Sequence, residues 1–347
     1  MYIKKILWAI ALIGLVVMGA IAYYIYNAMF VPNTSFEEES VTLEIPTGTN
    51  YRQVRELLTP YVDDLDSFDA LANQKQYNTN VKAGRYRLKK GMNNNDIINT
   101  IRSQNIPLTL SFNNQSSLEQ LAGRVSSQIE ADSIELVIAM RDTITLNSYG
   151  FKDETALGMY LPNSYEFFWN TSAEAFVKRM YKEYKKFWNE DRRSKAKAIG
   201  LSLDEVMTLA SIVYEESKAK EEQPIVAGVY LNRLKIGMPL QADPALKFAA
   251  YKLPKYQNTV IRRVLNEHKD IDTPYNTYMY SGIPPGLIAM PDLSAIEAVL
   301  NSQDHDFLYF AADPERIGYH RFAKSLTEHN RNARAYHRYL DSQGIRR

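Results

Sequence analysis

Two adjacent carboxylates, Glu215 and Glu216, close an apolar run and precede a dense series of polar groups. The stretch 210–244 reads ASIVYEESKAKEEQPIVAGVYLNRLKIGMPLQADP. Val206, Leu209, Val213 and Glu216 recur at spacings of three and four, which predicts a helix from near Ser202 with Glu216 on its core-facing stripe. A carboxylate held there loses solvation, its pKa rises, and it can serve as a general acid near neutral pH. Glu215 lies about 100° round the helix, toward the flank of that stripe. The alternative is that both are solvated members of the charged run continuing through Lys218, Lys220, Glu221 and Glu222.

The residues C-terminal to the two carboxylates suit a hydroxylated, acetamido-bearing ligand. Asn232 and Arg233, then Gly237 and Met238, then Gln241, Asp243 and Pro244, read as helix, tight turn and loop. Tyr275-Asn276-Thr277-Tyr278 with Gly282-Ile283-Pro284-Pro285-Gly286 reads as a second, rigid loop. Amide, guanidinium, hydroxyl and aromatic groups gathered on loops supply the partners that a polar ligand needs once it is desolvated. Each residue also has a structural use: Asp243 before Pro244 fits a turn or a helix cap, and Asn232 can satisfy backbone.

ASIV..ES, VAGVYLNRL, IGMPLQADP, PYNTY and SGIPPG, in this order, resemble the signature of the endolytic murein transglycosylases, the MltG or YceG-like family. Upstream, Tyr160-Leu161-Pro162-Asn163-Ser164-Tyr165 is similar to the family's Leu-Phe-Pro-Asp-Thr-Tyr element. Downstream, Gly318-Tyr319-His320-Arg321-Phe322 and Glu328-His329-Asn330 are similar to its closing motif. The likeness covers nearly the whole chain, with two departures: Tyr214 stands where the family commonly has an acid, and Asn163 where it has Asp. The resemblance implies that Glu216 is the catalytic acid and base of a lyase reaction on the β-1,4 bond between N-acetylmuramic acid and N-acetylglucosamine, closing a 1,6-anhydro ring. No cofactor is implied. The expected substrate-binding set is Asn232, Arg233, Gln241, Asp243, Tyr275, Asn276, Thr277 and Tyr278, with Glu222. Asp243 and Glu222 are also the nearby acids that a two-carboxylate muramidase would need, and an inactive glycan-binding scaffold is the non-enzymatic alternative.

Composition narrows the remaining choices. With 347 residues and 45% hydrophobic content the chain can build two or three modest cores. Its 41 basic and 40 acidic side chains leave +1, which gives no electrostatic case for nucleic acid. Cysteine is absent, and His268, His305, His320, His329 and His337 show no metal-ligand spacing, so no metal is expected. His320 is expected to pack or hydrogen-bond.

Lys4 and Lys5 precede an uncharged run from Ile6 to Phe30 containing Trp8, Tyr23, Tyr24 and Tyr26, and the first acids are Glu37 to Glu39. The run is long enough to span a bilayer, and the charge bias predicts a single pass through the bacterial cytoplasmic membrane. The N-terminus would be cytoplasmic and the bulk of the chain on the periplasmic or extracellular side. Ala20-Ile21-Ala22 mimics a signal cleavage site, but the run continues past it. The expected fold is α+β: a cytoplasmic stub and transmembrane helix at 1–31, a linker at 32–40, a small α/β module at 41–106, which resembles the LysM-like module the family carries and would bind glycan or serve as a spacer, a mostly helical region at 107–198 and a mostly helical catalytic domain at 199–347. The module opens with alternating Val41 to Ile45, a turn at Pro46 to Thr49 and a helix from Tyr51 to Leu58. Lys82 to Leu88 and a helix near Asn95 to Ile101 would complete it. Lys178 to Arg193 reads as one amphipathic helix. Expected partners are glycan strands, the membrane and, for a cutter of new strands, cell-wall synthases.

Overall fold

The structure, a computed structural model, describes residues 2–257, 259–261 and 263–343. It is mixed α+β and mostly helical, and among the described residues six strands form three two-stranded sheets. Contacts divide it into two units: Met1–Leu110 with Gln128–Ala131 and Tyr165–Ser172, and Ser111–Ser127 with Asp132–Ser164 and Ala173–Arg347.

The first unit opens with α1 (Tyr2–Phe30), among the described residues the one helix long and apolar enough to cross a membrane. Nearly all of it is exposed; Ala28, near its end, is buried, and its carbonyl accepts from the Asn94 amide at 3.0 Å. Then come β1 (Ser40–Ile45), α2 (Tyr51–Leu58), α3 (Leu65–Gln74), β2 (Gly84–Lys89) and α4 (Asn94–Ser103). β1 and β2 run antiparallel, from Ser40 opposite Lys89 to Ile45 opposite Gly84. Alternation puts Leu43 and Ile45 of β1, and Tyr86 and Leu88 of β2, on one face. They meet Val54 and Leu58 of α2, Phe68 and Leu71 of α3, and Ile97, Ile98 and Ile101 of α4 in one core. The segment before β1 is tied in as well: Asn33 is buried and bonds both the Asp64 carbonyl, at 2.9 Å, and the Asn94 side chain, at 2.7 Å.

β3 (Pro107–Phe112) comes next, and it pairs with β4 (Asn163–Phe168). Between them lie α5 (Leu118–Ser126), α6 (Ser133–Met140) and α7 (Thr143–Tyr149). The single helix expected over Lys178 to Arg193 is two, α8 (Ala173–Phe187) and α9 (Glu190–Ala198). Asn189 stops the first and caps the second by accepting from the Arg192 amide at 3.0 Å. The rest of the second unit comprises α10 (Leu203–Glu216), α11 (Gln223–Lys235), α12 (Asp243–Tyr251), the short α13 (Asn266–Lys269), α14 (Leu293–Leu300), the antiparallel pair β5 (Tyr309–Ala312) and β6 (His320–Ala323), and α15 (Leu326–Ser342). α10 is its centre and packs on α11, α12 and α14.

Candidate active site

α10 starts where Ser202 caps it. The Ser202 hydroxyl accepts from the Glu205 amide at 3.3 Å, and the Glu205 carboxylate accepts from the Ser202 amide at 2.8 Å. Every residue from Val206 to Val213 is buried, so the helix is covered all round rather than along one stripe. What separates the two carboxylates is therefore where the helix ends. Glu215 is exposed and pairs with Lys218 at 2.9 Å, whereas Glu216, the last helical residue, is half-buried.

The Glu216 carboxylate accepts a hydrogen bond from the Tyr230 hydroxyl at 3.0 Å. Tyr230 is fully buried on α11, held edge-on against Phe310 of β5 with ring centroids 6.0 Å apart. Burial pushes the Glu216 carboxyl up to about 7, and the negative charge of Asp243 adds to the rise. The Tyr230 hydrogen bond and the positive charges of Arg233 and Lys247 oppose it. A carboxyl so poised is divided between acid and base near neutral pH, the condition for a group that must first give and then take a proton.

Asp243 is the first residue of α12 and accepts from the Tyr278 hydroxyl at 2.5 Å. Arg233 sits one turn beyond Tyr230 on α11. Its guanidinium donates through Nε to the Leu308 carbonyl at 2.7 Å and also bonds the Leu240 carbonyl. Its charge thus acts on Glu216 from a fixed place. Glu222, at the start of α11, accepts from the His320 amide at 2.8 Å, faces His320 Nδ1 at 3.0 Å and receives the Ser217 hydroxyl at 3.3 Å. It pins the end of α10 to β6, and His320 is held in that network.

Of the expected substrate-binding residues, Arg233, Asp243 and Tyr278 gather around Glu216, in that all three bear on its charge or on each other. Gln241 is exposed, with its backbone in the left-handed region at φ 49° and its amide bonded to the Thr277 carbonyl at 2.8 Å. The others are committed to the scaffold. Asn232 donates to the carbonyls of His305, at 2.6 Å, and Phe307, at 3.2 Å. Asn276 is fully buried and donates to the carbonyls of Lys269 and Ile271 while accepting from the Tyr278 amide. The Thr277 hydroxyl accepts from the Ala242 amide at 2.9 Å, and Tyr275 is buried against Phe248. This loop fixes Gln241 and Ala242, and so the start of α12 where Asp243 stands. Asn232, Asn276 and Thr277 thus position the backbone around the site: the side-chain nitrogens of the two asparagines and the Thr277 hydroxyl all bond main-chain groups.

Sequence reasoning passed over Tyr230. Its one signal was a spacing of three from Arg233 within VAGVYLNRL, which puts both on one helix face.

The YceG-like family model matches residues 43–335. A Bacillus subtilis (strain 168) protein named endolytic murein transglycosylase is 29% identical over 341 residues, covering 93% of this chain and 91% of the relative. A Streptococcus pneumoniae (strain D39) protein of the same name is 29% identical over 355 residues; 92% of this chain matches, but it spans only 63% of that relative's length. Among solved structures, a YceG-like protein from Listeria monocytogenes superposes with a TM-score of 0.55 at 27% identity, covering 85% of this chain and 99% of that one.

Proposed function

The chain belongs to the YceG-like family, and from that premise we propose that it is an endolytic murein transglycosylase in which Glu216 is the single acid and base. The observation that carries this reading is the half-buried carboxyl at the end of α10, poised at about 7 and hydrogen-bonded by a buried tyrosine. Glu216 gives its proton to the oxygen leaving with N-acetylglucosamine as the bond from C1 of N-acetylmuramic acid breaks. The resulting carboxylate takes the proton of the muramic acid's own C6 hydroxyl, whose oxygen closes on C1 to form the 1,6-anhydro ring. No water is consumed and Glu216 ends protonated, ready for another turnover. A nucleophile tethered in the substrate gains a large effective molarity, so the site needs no positioned water.

Tyr230 holds the carboxylate between the two proton transfers. The fixed charges of Arg233 and Asp243 oppose each other and keep the pKa near neutrality. Gln241, with its side chain outward, and the Tyr278–Asp243 pair are the groups available to sugar hydroxyls and the acetamido group. Asp243 also supports a second reading, a two-carboxylate muramidase, since its charge acts directly on Glu216.

α1 is about 44 Å long, enough to cross a hydrocarbon core of about 30 Å. Lys4 and Lys5 before it support a cytoplasmic N-terminus, which would put the rest of the chain where nascent peptidoglycan and cell-wall synthases lie. The small β1–α2–α3–β2–α4 body would act as the LysM-like module that orients glycan. Digestion of purified strands by the full chain in detergent tests the reading. Fragments should carry anhydro-muramic ends, lighter by one water than hydrolytic ends, and Glu216→Gln should form none. Reducing ends would assign the muramidase reading instead.

A further inference from the structure

A cavity lies at the opposite end of α10 from Glu216. It encloses about 320 Å³ and is lined by Tyr149 at the end of α7, Tyr181, Tyr184 and Lys185 of α8, Arg193 of α9, and Asp204 in the first turn of α10. Asp204 and Glu216 stand about 18 Å apart along the helix axis. None of these six residues takes part in the network around Glu216.

The wall of the cavity is aromatic and rigid. Tyr149 and Tyr181 lie face to face, with centroids 3.8 Å apart and planes 7° from parallel, and Tyr184 continues the series at 6.5 Å and 14°. Lys185 rests its ammonium 4.6 Å from the Tyr181 ring centre, and Arg193 is anchored by its Nε to the Trp188 carbonyl at 2.8 Å. Asp204 is different. It is half-buried, and among the described residues its carboxylate has neither a hydrogen-bond donor nor an ion-pair partner. Its carboxylate is only partly withdrawn from water and has the charge of Lys152 nearby, so it is left free to accept hydrogen bonds from hydroxyls of an occupant.

These features select the chemistry of the occupant. The carboxylate can take hydroxyl donors and repels an anion placed beside it. Lys185 and Arg193 disfavour a cation. Because the faces of Tyr149 and Tyr181 are stacked on each other and Tyr184 is buried, the tyrosines present mainly ring edges and hydroxyls, which suit the C–H and hydroxyl groups at the rim of a small ring. A neutral, hydroxyl-rich ring with C–H groups at its rim meets all three conditions.

We propose that this cavity is an accessory saccharide site, holding one hexosamine unit of a glycan strand away from the bond being cut. The proposal rests on the glycan-cutting reading of Glu216. Such a site would add affinity for long strands without touching the reacting atoms, since a second point of attachment works through effective concentration.

Hydrogen exchange read by mass spectrometry tests it on the full chain in detergent, with Glu216→Gln to prevent turnover and N-acetylglucosamine hexamer as the probe. At ligand about ten times its Kd, segments carrying Tyr149, Tyr181 and Asp204 should exchange about tenfold more slowly. Asp204→Asn and Tyr181→Leu should each remove that protection and leave protection around Ser217 intact. Asp204→Asn is nearly isosteric and keeps the test readable if the tyrosine variant folds poorly. The proposal is overturned if the three segments are unprotected while the region of Ser217 is protected, or if protection survives both substitutions. Failure to protect any segment, together with failure of the parent chain to cut strands, would overturn the saccharide site and the glycan reading together; strand cutting by the parent without protection here overturns the site alone.

Discussion

Glu216 keeps a proton well above the pH at which an exposed glutamate loses it, and this has a consequence for stability as well as for rate. With its carboxyl at about 7 in the folded chain and an ordinary value of 4.5, the folded state binds a proton that the unfolded state has released between those two values. Stability therefore falls as pH rises through that window and the loss is complete above about 7. Glu216→Gln keeps an oxygen for Tyr230 but has no charge to bury. It should be more stable than the parent by about 3 kcal/mol at about pH 8 and nearly equal to it at about pH 4.5, measured by denaturant unfolding. The same substitution should lower kcat by about a hundredfold or more, the usual size of a lost general acid. In the parent, kcat/KM should decline on the alkaline side of about 7. Tyr230→Phe removes a donor that favours the charged carboxylate, so its alkaline limb should move to higher pH, read from the same profile. The partly buried position of Glu216 was legible in the sequence because it closes an apolar run. Its advantage over Glu215 comes from the helix end rather than from the stripe. The backbone bonds of Asn276 and Thr277 were not legible, because a polar side chain in a loop looks the same in sequence whether it serves a ligand or the neighbouring backbone.

The elements around the carboxylate are held by close backbone approaches. A Cβ on Gly286 would lie 2.2 Å from the Glu154 carbonyl oxygen, and one on Gly228 would lie 2.6 Å from the Gln303 carbonyl oxygen, so neither neighbour can yield without moving backbone. Gly286→Ala should destabilise by about 1–3 kcal/mol in thermal unfolding, as overpacking does. Thr277→Val keeps the shape but strands the buried Ala242 amide. A stability loss of about 1–3 kcal/mol is expected, with a fall in kcat/KM because the start of α12 carries Asp243. Elements with clear periodicity were readable in advance: β1 from its alternation, α2 from its place after the turn at Pro46 to Thr49, and α10 from the spacing of its apolar residues after Ser202; the capping boxes that start α2 and α10 came from the structure. The division of α8 from α9 turned on one cap, Asn189, inside an uninterrupted amphipathic pattern. Asp243-Pro244 read as a loop although it begins α12, since proline suits both a turn and a first helical turn. β5, four residues without alternation in burial, carries no strand signal of its own and exists through its pairing with β6.

Taken whole, the molecule joins an exposed apolar helix to a small α/β body and a larger, mostly helical unit built around α10. Because Ala28 is buried and its carbonyl holds Asn94, a soluble form should keep residues from Asn27 onward. Such a form should cut soluble strands at the parental rate yet leave the membrane fraction in cell fractionation, whereas removal through Asn33 should also lower stability by stripping the Asp64 and Asn94 bonds. The central claim is that one carboxylate in this unit does the work of acid and base, with the substrate's own hydroxyl as nucleophile. The most direct measurement is digestion of glycan strands by the full chain in water enriched in heavy oxygen, followed by the mass of the new muramic ends. The account predicts ends that are anhydro and carry no label, and none from Glu216→Gln. Labelled reducing ends, or anhydro ends from Glu216→Gln, would contradict it.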